Sequence, residues 1–343
     1  MDAPERLIRG SSLFQASCLR GLALLSLLIT SEAQTEESRV PRSDCGDTTF
    51  VVHTPTPQQP LNPYPITSRC SDSRRSFGDH LLVVAGSYED TCWMTKHISI
   101  PFLVYHQSDM EDVAHTFQPG ANEAGGYLRF IAEYYDCLPE VILFAHPHRK
   151  SNWHSSESLD YNVNHVNWDK VPGFALLHRQ GLWWEAAVKD PTQNLPDHQE
   201  VPSATVECQH IVNGTAYNKY MVERFWLGNW MLMAWPKLFE PEGFGGVPEK
   251  LKVSKSSEFF VTRGRIQARP RDFYLKCLQY IHEEALRRQS NVTGAWPAHT
   301  MGLIFEHTWH HIFGEDMFLD GLTVPECELY RCNAKQEAKA ANQ

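Results

Sequence analysis

The sequence lacks several patterns by which common enzyme classes are recognised. No two of its nine cysteines form a Cys-x-x-Cys pair, which argues against a cysteine zinc site. No Gly-x-Ser-x-Gly segment is present, which disfavours a serine hydrolase whose nucleophile follows a strand. The chain also has no excess of basic residues, because its net charge is −10 and its pI is about 5.9. We therefore expect no nucleic-acid partner.

A long apolar run is missing as well. Leu22–Ile29 is the most apolar N-terminal stretch, and Arg20 limits it to less than the roughly 20 residues that span a bilayer. A small-x-small pattern, Ser31-Glu32-Ala33, follows this stretch and is typical of a signal cleavage site. We predict a signal peptide over residues 1–33, localisation outside the cell or in the secretory-pathway lumen, and no membrane span after cleavage. An uncleaved anchor is the alternative.

The remaining eight cysteines agree with an exported protein. An even number in such a chain allows up to four disulfides, and Cys327 and Cys332 could close a small loop. The alternative is that several of the cysteines are buried thiols, as expected for Cys277 on a helix face. Asn213 and Asn291 stand in glycosylation triplets, so we predict glycans at both positions.

The chain divides by composition into four parts. Residues 34–78 are rich in Pro, Ser and Thr and predict an extended lead-in, held in place by Cys45 and Cys70. Residues 79–320 alternate apolar runs with helical patterns and predict a single α/β domain. Residues 321–343 form a cysteine-containing C-terminal tail.

The order of apolar segments predicts the fold. Continuous apolar runs are typical of parallel strands that are covered on both faces. Helical spacing of apolar residues separates these runs along the chain. We therefore predict an α/β fold, with a mostly parallel central sheet and helices on both faces. The predicted strands are 81–85, 101–106, 141–145 and 259–261, and the predicted helices are 122–135, 222–238, 270–288 and 303–313.

A histidine cluster follows the predicted strand 141–145. His146 and His148 flank a proline, and His154 comes shortly afterwards. In open α/β sheets the ligand site lies beyond the carboxyl ends of the strands, and imidazole is a common metal ligand. These three histidines are therefore candidate ligands of a divalent metal, Mn or Zn. The alternative is a loop whose histidines make local hydrogen bonds.

A second cluster, Glu306-His-Thr-Trp-His-His, lies near the C-terminus. On a helix, Glu306 and His310 share one face, and His307 and His311 share another. The zincin pattern is not met, since Thr308 stands where the glutamate base belongs. We predict Glu306 and His310 as a catalytic pair facing a cleft, with a solvated polar face as the alternative.

Two further segments are candidates for ligand binding. Ser87, Glu89 and Asp90 follow the first predicted strand and could hold the sugar or base of a ligand, although Asp90 could instead cap the next helix. Arg263 ends the predicted strand 259–261 and could contact a phosphate. The alternative for Arg263 is a surface role.

Motifs along most of the chain, from about Leu81 to Gly314, resemble domain-of-unknown-function family 3431. Glu306-His-Thr-Trp-His-His-Ile-Phe-Gly314 is the most specific of them. Where the family has Gly-Arg, this chain has Ala121-Asn122, and where the family has a cysteine pair, it has Ser256-Ser257. The other matching segments are Leu82-Val-Val-Ala, Ser87–Asp90, Asn122-Glu-Ala with Tyr127-Leu128, Phe144-Ala-His with Trp153-His154, and Phe259-Phe-Val-Thr-Arg263 with Arg269-Pro270.

The layout of the family is similar to that of GT-A nucleotide-sugar transferases. This resemblance implies that His146-Pro-His148 stands in the place of an Asp-x-Asp motif, that Glu306 and His310 supply a late catalytic pair, and that Glu123 contacts the ligand. The implied function is transfer of a sugar from a nucleotide donor to a glycan or small-molecule acceptor. Two alternatives stay open: an extracellular metal-dependent hydrolase or oxidase, and a non-catalytic carbohydrate-binding glycoprotein.

Overall fold

The computed structural model of the 343-residue chain describes most of the region that the sequence assigns to the domain. The described residues are 66, 68–70, 77–86, 91–107, 116–117, 121–150, 157–177, 183–194, 211–212, 215–216, 219–254, 257–289, 298–319, 324 and 326–331. The predicted signal peptide and the glycosylation sites Asn213 and Asn291 lie outside these residues, so both stay predictions.

Ten strands lie within the described residues, and six of them form the central sheet in the order β3-β2-β1-β4-β10-β5. Each continuous apolar run of the sequence has become a buried strand of this sheet. The strands are β1 His80–Gly86, β2 Phe102–Gln107, β3 Thr116–Phe117, β4 Val141–Ala145, β5 Phe174–Leu176, β6 Trp183–Ala187, β7 Ile211–Val212, β8 Thr215–Ala216, β9 Lys250–Ser254 and β10 Phe259–Thr262.

The described α-helices range from 4 to 20 residues in length. The helices are α1 Met94–His97, α2 Glu123–Tyr134, α3 Leu159–His165, α4 Lys219–Leu238, α5 Arg263–Gln267, α6 Arg271–Gln289, α7 Ala298–Glu306, α8 Trp309–Ile312 and α9 Glu326–Leu329.

The central sheet is mostly parallel, as predicted, but it is not purely so. Strands β3, β2, β1 and β4 run parallel to one another, with Leu82 paired to Phe102 on one side and to Leu143 on the other. Strand β10 is antiparallel to both β4 and β5. The sheet is therefore mixed. The segment that connects β5 to β10 is long and contains α4, and it does not form a parallel crossover.

Helices cover both faces of the sheet, which confirms that part of the fold prediction. Side chains of a strand alternate between faces, so Leu81 and Val83 pack with α2, α6 and α7 while Leu82 and Val84 pack with α1, α3 and α9. The first face carries the larger core, to which α4 also contributes.

Among the described residues, no helix is both long and apolar enough to cross a membrane.

The end of the lead-in is attached to helix α2. Cys70 forms a disulfide with Cys137, and the Arg69 guanidinium lies 3.5 Å from the buried Glu133 carboxylate. Cys70 therefore takes part in a disulfide, as the cysteine count allowed, whereas Cys45 and most of the predicted lead-in lie outside the described residues. Cys92 and Cys327 are also disulfide-bonded. Cys277 is a buried free thiol, in agreement with the alternative considered for it.

The predicted single helix over 303–313 is wrong, because the chain breaks it at His307 and Thr308. The Thr308 hydroxyl donates to the Ile304 carbonyl at 2.8 Å, and His307 Nδ1 lies 2.5 Å from the Leu303 carbonyl. At Thr308 the hydroxyl takes the carbonyl that the backbone N–H of a continuing helix would use, and the Thr308 N–H donates to the Phe305 carbonyl at 3.0 Å instead. As a result, α7 ends at Glu306 and a separate turn, α8, begins at Trp309.

Candidate active site

The order of strands reverses at the centre of the sheet. After β1 the chain moves to β2 on one side, and it later returns through α2 to β4 on the other side of β1. The carboxyl ends of β1 and β4 therefore flank a topological switch point, which is where open α/β sheets place their ligands. His146 is the first residue beyond β4, so it lies at this edge of the sheet, where the sequence predicted a site.

A buried carboxyl group, that of Glu258, lies at this edge. Glu258 precedes β10, and its Oε1 accepts a hydrogen bond from the His146 backbone N–H at 3.3 Å. Only 3% of the residue is exposed. Burial raises the pKa of Glu258 to about 8, the hydrogen bond from His146 opposes the rise, and the negative charge of Glu123 adds to it. At neutral pH Glu258 therefore holds a proton that an exposed carboxylate would have lost.

Glu123, the first residue of α2, is a second buried carboxyl group. The residue before it, Asn122, has φ 49°, a left-handed conformation that disfavours residues with a side chain. Asn122 is the N-cap residue of α2, but its side chain makes no capping hydrogen bond. Strained backbone of this kind is concentrated at functional sites.

The Asn122 conformation is held from the opposite side by helix α7. A β-carbon added to Gly302 would lie 2.6 Å from Asn122 Nδ2 and 3.1 Å from Asn122 Cβ. Only a glycine allows α7 to approach the start of α2 this closely. The contact brings α7, which ends at Glu306, to the side of α2 that carries Glu123.

The phenol of Tyr127 is influenced by three carboxyl groups. Burial raises its pKa well above the ordinary value, and the negative charges of Glu123, Glu258 and Glu306 raise it further. The Tyr127 hydroxyl is fully buried and has no hydrogen-bond partner among the described residues. We call Glu123, Glu258 and Glu306, together with the Tyr127 hydroxyl, the carboxylate cluster.

Aromatic packing brings the C-terminal segment to this cluster. The Trp309 ring lies 6.1 Å from the ring of Tyr127 and 5.6 Å from that of Phe259, measured between centroids. All three side chains are buried. Trp309 therefore packs against the residues that carry the carboxylate cluster.

His310, the predicted partner of Glu306, has a different environment. Its Nε2 lies 3.3 Å from the Met317 carbonyl, and burial lowers the pKa of His310 to about 4. The break at 307–308 separates the two residues onto different helical turns. The structure thus brings Glu306 to the carboxylate cluster and places His310 against the loop that leads to Met317.

The histidines after β4 lie at the mouth of the site. His146 is half-buried, His148 is exposed, and their ring centroids are 6.2 Å apart. Pro147 between them accepts a hydrogen bond from Trp93 Nε1 at 3.2 Å. His154 lies outside the described residues. Among the residues that are described, no group of three or more His, Cys, Asp and Glu side chains is arranged to hold a metal ion.

Arg263 does not reach this site. It follows β10 at the end of the sheet where β4 begins, as the pairing of Thr262 with Val141 shows. Its guanidinium donates to the Leu138 carbonyl at 3.2 Å and forms an ion pair with Glu140. Ser87, Glu89 and Asp90 follow β1, but they lie outside the described residues and stay predictions.

Two members of the cluster, Glu258 and Tyr127, were not predicted as functional residues. Tyr127 lies among the apolar residues of α2, so the sequence pattern predicts a core side chain at this position. Glu258 is a single charged residue directly before the continuous apolar run Phe259-Phe260-Val261. A charge at the first position of a buried strand is uncommon, because an unpaired carboxylate is costly to bury. This signal could have identified Glu258.

Together, these observations describe an α/β protein with a cluster of carboxyl groups near the switch point of a mostly parallel sheet. The family model described as "Protein of unknown function (DUF3431)" matches residues 81–339. The chain belongs to this family, as the resemblance of its motifs predicted. No curated protein and no solved structure matches the chain.

Proposed function

We propose that the chain is a glycosyltransferase-like enzyme that transfers a sugar from a nucleotide donor to an acceptor hydroxyl. The observation that carries this proposal is the carboxylate cluster at the switch point, where nucleotide-binding α/β sheets hold their ligands. We also propose a GT-A layout for the fold. This is supported by the mostly parallel sheet, by the position of His146 directly beyond β4, and by the position of Glu306 late in the chain.

Glu306 is the candidate general base. It is half-buried at the end of α7 and would accept the proton of an acceptor hydroxyl. Burial and the charge of Glu123 favour the protonated form of Glu258 at neutral pH, so Glu258 could donate a hydrogen bond to the substrate.

The donor's diphosphate would lie beside the imidazole rings of His146 and His148, beyond the end of β4. These rings can donate hydrogen bonds to phosphate oxygens. Arg263 and His310 take no part in this proposal, because Glu140 and Met317 engage them elsewhere. The described donor set does not fit a metal ion, so no step uses one.

We propose that this reaction takes place in the secretory-pathway lumen or outside the cell. The disulfide between Cys70 and Cys137 and the disulfide-bonded Cys92 and Cys327 support an oxidising compartment. Treating cells that express the protein with a glycosidase specific for N-glycans tests this directly. A decrease in apparent mass would support export, and an unchanged mass with reduced cysteines would contradict it.

The proposed activity predicts release of a nucleoside diphosphate. Purified protein should release UDP or GDP from one member of a nucleotide-sugar panel, faster when glycan or small-molecule acceptors are added. Loss of a general base typically costs 10²–10⁴-fold, so Glu306→Gln should lower the rate by at least about 100-fold. Glu249→Gln, at an exposed position outside the site, should leave the rate unchanged.

The same assay separates the alternatives. No release from any nucleotide sugar, with or without added Mn²⁺ or Zn²⁺, would contradict the transferase proposal. Full activity of Glu306→Gln would remove Glu306 from the mechanism. Stoichiometric zinc or copper in the purified protein, together with hydrolysis of glycans, would instead support the metal-dependent hydrolase or oxidase.

A further inference from the structure

The Tyr127 hydroxyl differs from the other buried tyrosine hydroxyls of the core. Tyr105 donates to Glu133 at 2.8 Å, Tyr274 to the Ile266 carbonyl at 2.8 Å and Tyr330 to the Leu177 carbonyl at 2.8 Å. Tyr127, which is equally buried, has no partner among the described residues. Its hydroxyl is therefore not used to hold the described structure together.

A buried hydroxyl without a partner is unfavourable for folding, since it has given up its hydrogen bonds to water. A phenylalanine would fill the same space without this cost. Such unsatisfied groups in folded proteins call for a specific explanation, and a bound ligand or water is a common one. At Tyr127 the explanation must be compatible with three carboxyl groups whose charges act on the same hydroxyl.

We infer that Tyr127 and the carboxylate cluster form a subsite for the hydroxyl groups of an uncharged sugar. A ligand hydroxyl is both donor and acceptor: its oxygen accepts from the Tyr127 O–H, and its proton is donated to a carboxylate of Glu123 or Glu306. This inference rests on the proposed function. It adds which part of the substrate the carboxylate cluster binds. The cluster takes a neutral sugar ring and not the diphosphate.

The charge of the cluster sets its specificity. A carboxylate or phosphate on the ligand would be placed beside Glu123 and Glu306, and like charges in a buried site repel strongly. Uronic acids and phosphorylated sugars should therefore be rejected. Glu258 holds a proton at neutral pH, so it adds no charge and can donate a hydrogen bond to a ligand oxygen.

The test uses pairs of neutral and anionic monosaccharides as probes. Glucose, galactose, mannose and xylose are compared with glucuronate and galacturonate by thermal shift and saturation-transfer NMR, on the full protein at pH 7. At least one neutral sugar should raise the melting temperature, and its uronate should not. Tyr127→Phe should bind that neutral sugar at least tenfold more weakly, while its own melting temperature in the absence of sugar should equal or exceed that of wild type.

Tyr274→Phe is the matched control. It removes a hydroxyl that is bonded within the same core, so it should lower the melting temperature and leave the sugar response unchanged. Three results would each overturn the inference: no neutral sugar binds, uronates bind as well as neutral sugars, or Tyr127→Phe lowers the melting temperature as much as Tyr274→Phe does.

These outcomes are separate from those of the proposed function. If neutral sugars bind through Tyr127 but no nucleotide sugar is turned over, the transferase proposal fails and the subsite stands. If UDP or GDP is released and Tyr127→Phe is fully active with unchanged sugar affinity, the subsite is wrong and the transferase proposal stands.

Discussion

Glu258 shows how one residue can make stability depend on pH. Its pKa is raised from the ordinary 4.5 to about 8 in the folded protein, chiefly by burial. The folded state therefore binds this proton more tightly than the unfolded state does. Its contribution to stability is complete below pH 4.5 and is lost as the pH rises toward 8, a loss on the order of 4 kcal/mol.

Glu258→Gln removes this ionisation but keeps an oxygen that accepts the His146 N–H. We predict that the variant has a wild-type free energy of unfolding near pH 4.5 and exceeds wild type by a few kcal/mol at pH 8. Urea unfolding at both pH values measures the difference. Glu249→Gln, at an exposed position, should show no such divergence, and a Glu258→Gln curve parallel to that of wild type would refute the prediction.

His310 produces the opposite dependence on pH. Burial lowers its pKa from 6.5 to about 4, so the unfolded state binds the proton more readily than the folded state. Stability should be complete above pH 6.5 and should fall by about 3 kcal/mol as the pH falls to 4. His310→Gln should flatten this acid slope in urea unfolding, whereas His148→Gln, at an exposed position, should keep it. Equal acid slopes for wild type and His310→Gln would exclude this role.

At the level of elements, the contact between α7 and the start of α2 positions Glu123. Alanine normally stabilises a helix interior relative to glycine. Gly302→Ala should nevertheless destabilise the protein by about 1–3 kcal/mol, because its methyl group meets the Asn122 side chain. The double variant with Asn122→Gly, which also relieves φ 49°, should recover more stability than the single changes predict by addition. Thermal unfolding of the four proteins measures this coupling, and strict additivity would contradict it.

The same elements show what the sequence can predict. Strands β1, β4 and β10 were predicted within one or two residues, because continuous apolar runs mark strands that are covered on both faces. The break at His307 and Thr308 was missed, since it arises from side chains that bond to the carbonyls of the preceding turn. Glu123 and Glu306 were predicted as site residues. Their common proximity to Tyr127 could not be predicted, because it depends on how α7 packs against α2.

At the level of the whole molecule, the lead-in is joined to the domain by a disulfide. Cys70 and Cys137 are 67 residues apart, so the bond restricts a large loop of the unfolded chain. We predict that Cys70→Ser with Cys137→Ser lowers the free energy of unfolding by about 2–4 kcal/mol. Denaturant unfolding of the double variant measures this loss. Cys277→Ala serves as a comparison without any disulfide, and a double variant as stable as wild type would show that the bond has no such role.

The most direct test of the site is a titration of its carboxyl groups. In protein labelled with ¹³C at the glutamate side-chain carboxyl groups, NMR follows the protonation of each one, and comparison with Glu258→Gln assigns the resonance. We predict one resonance with a midpoint near pH 8 that is absent from the variant. If the Glu258 resonance titrates near pH 4.5, the carboxyl group is hydrated and ionised, and the buried acid–base cluster on which the proposed function rests does not exist.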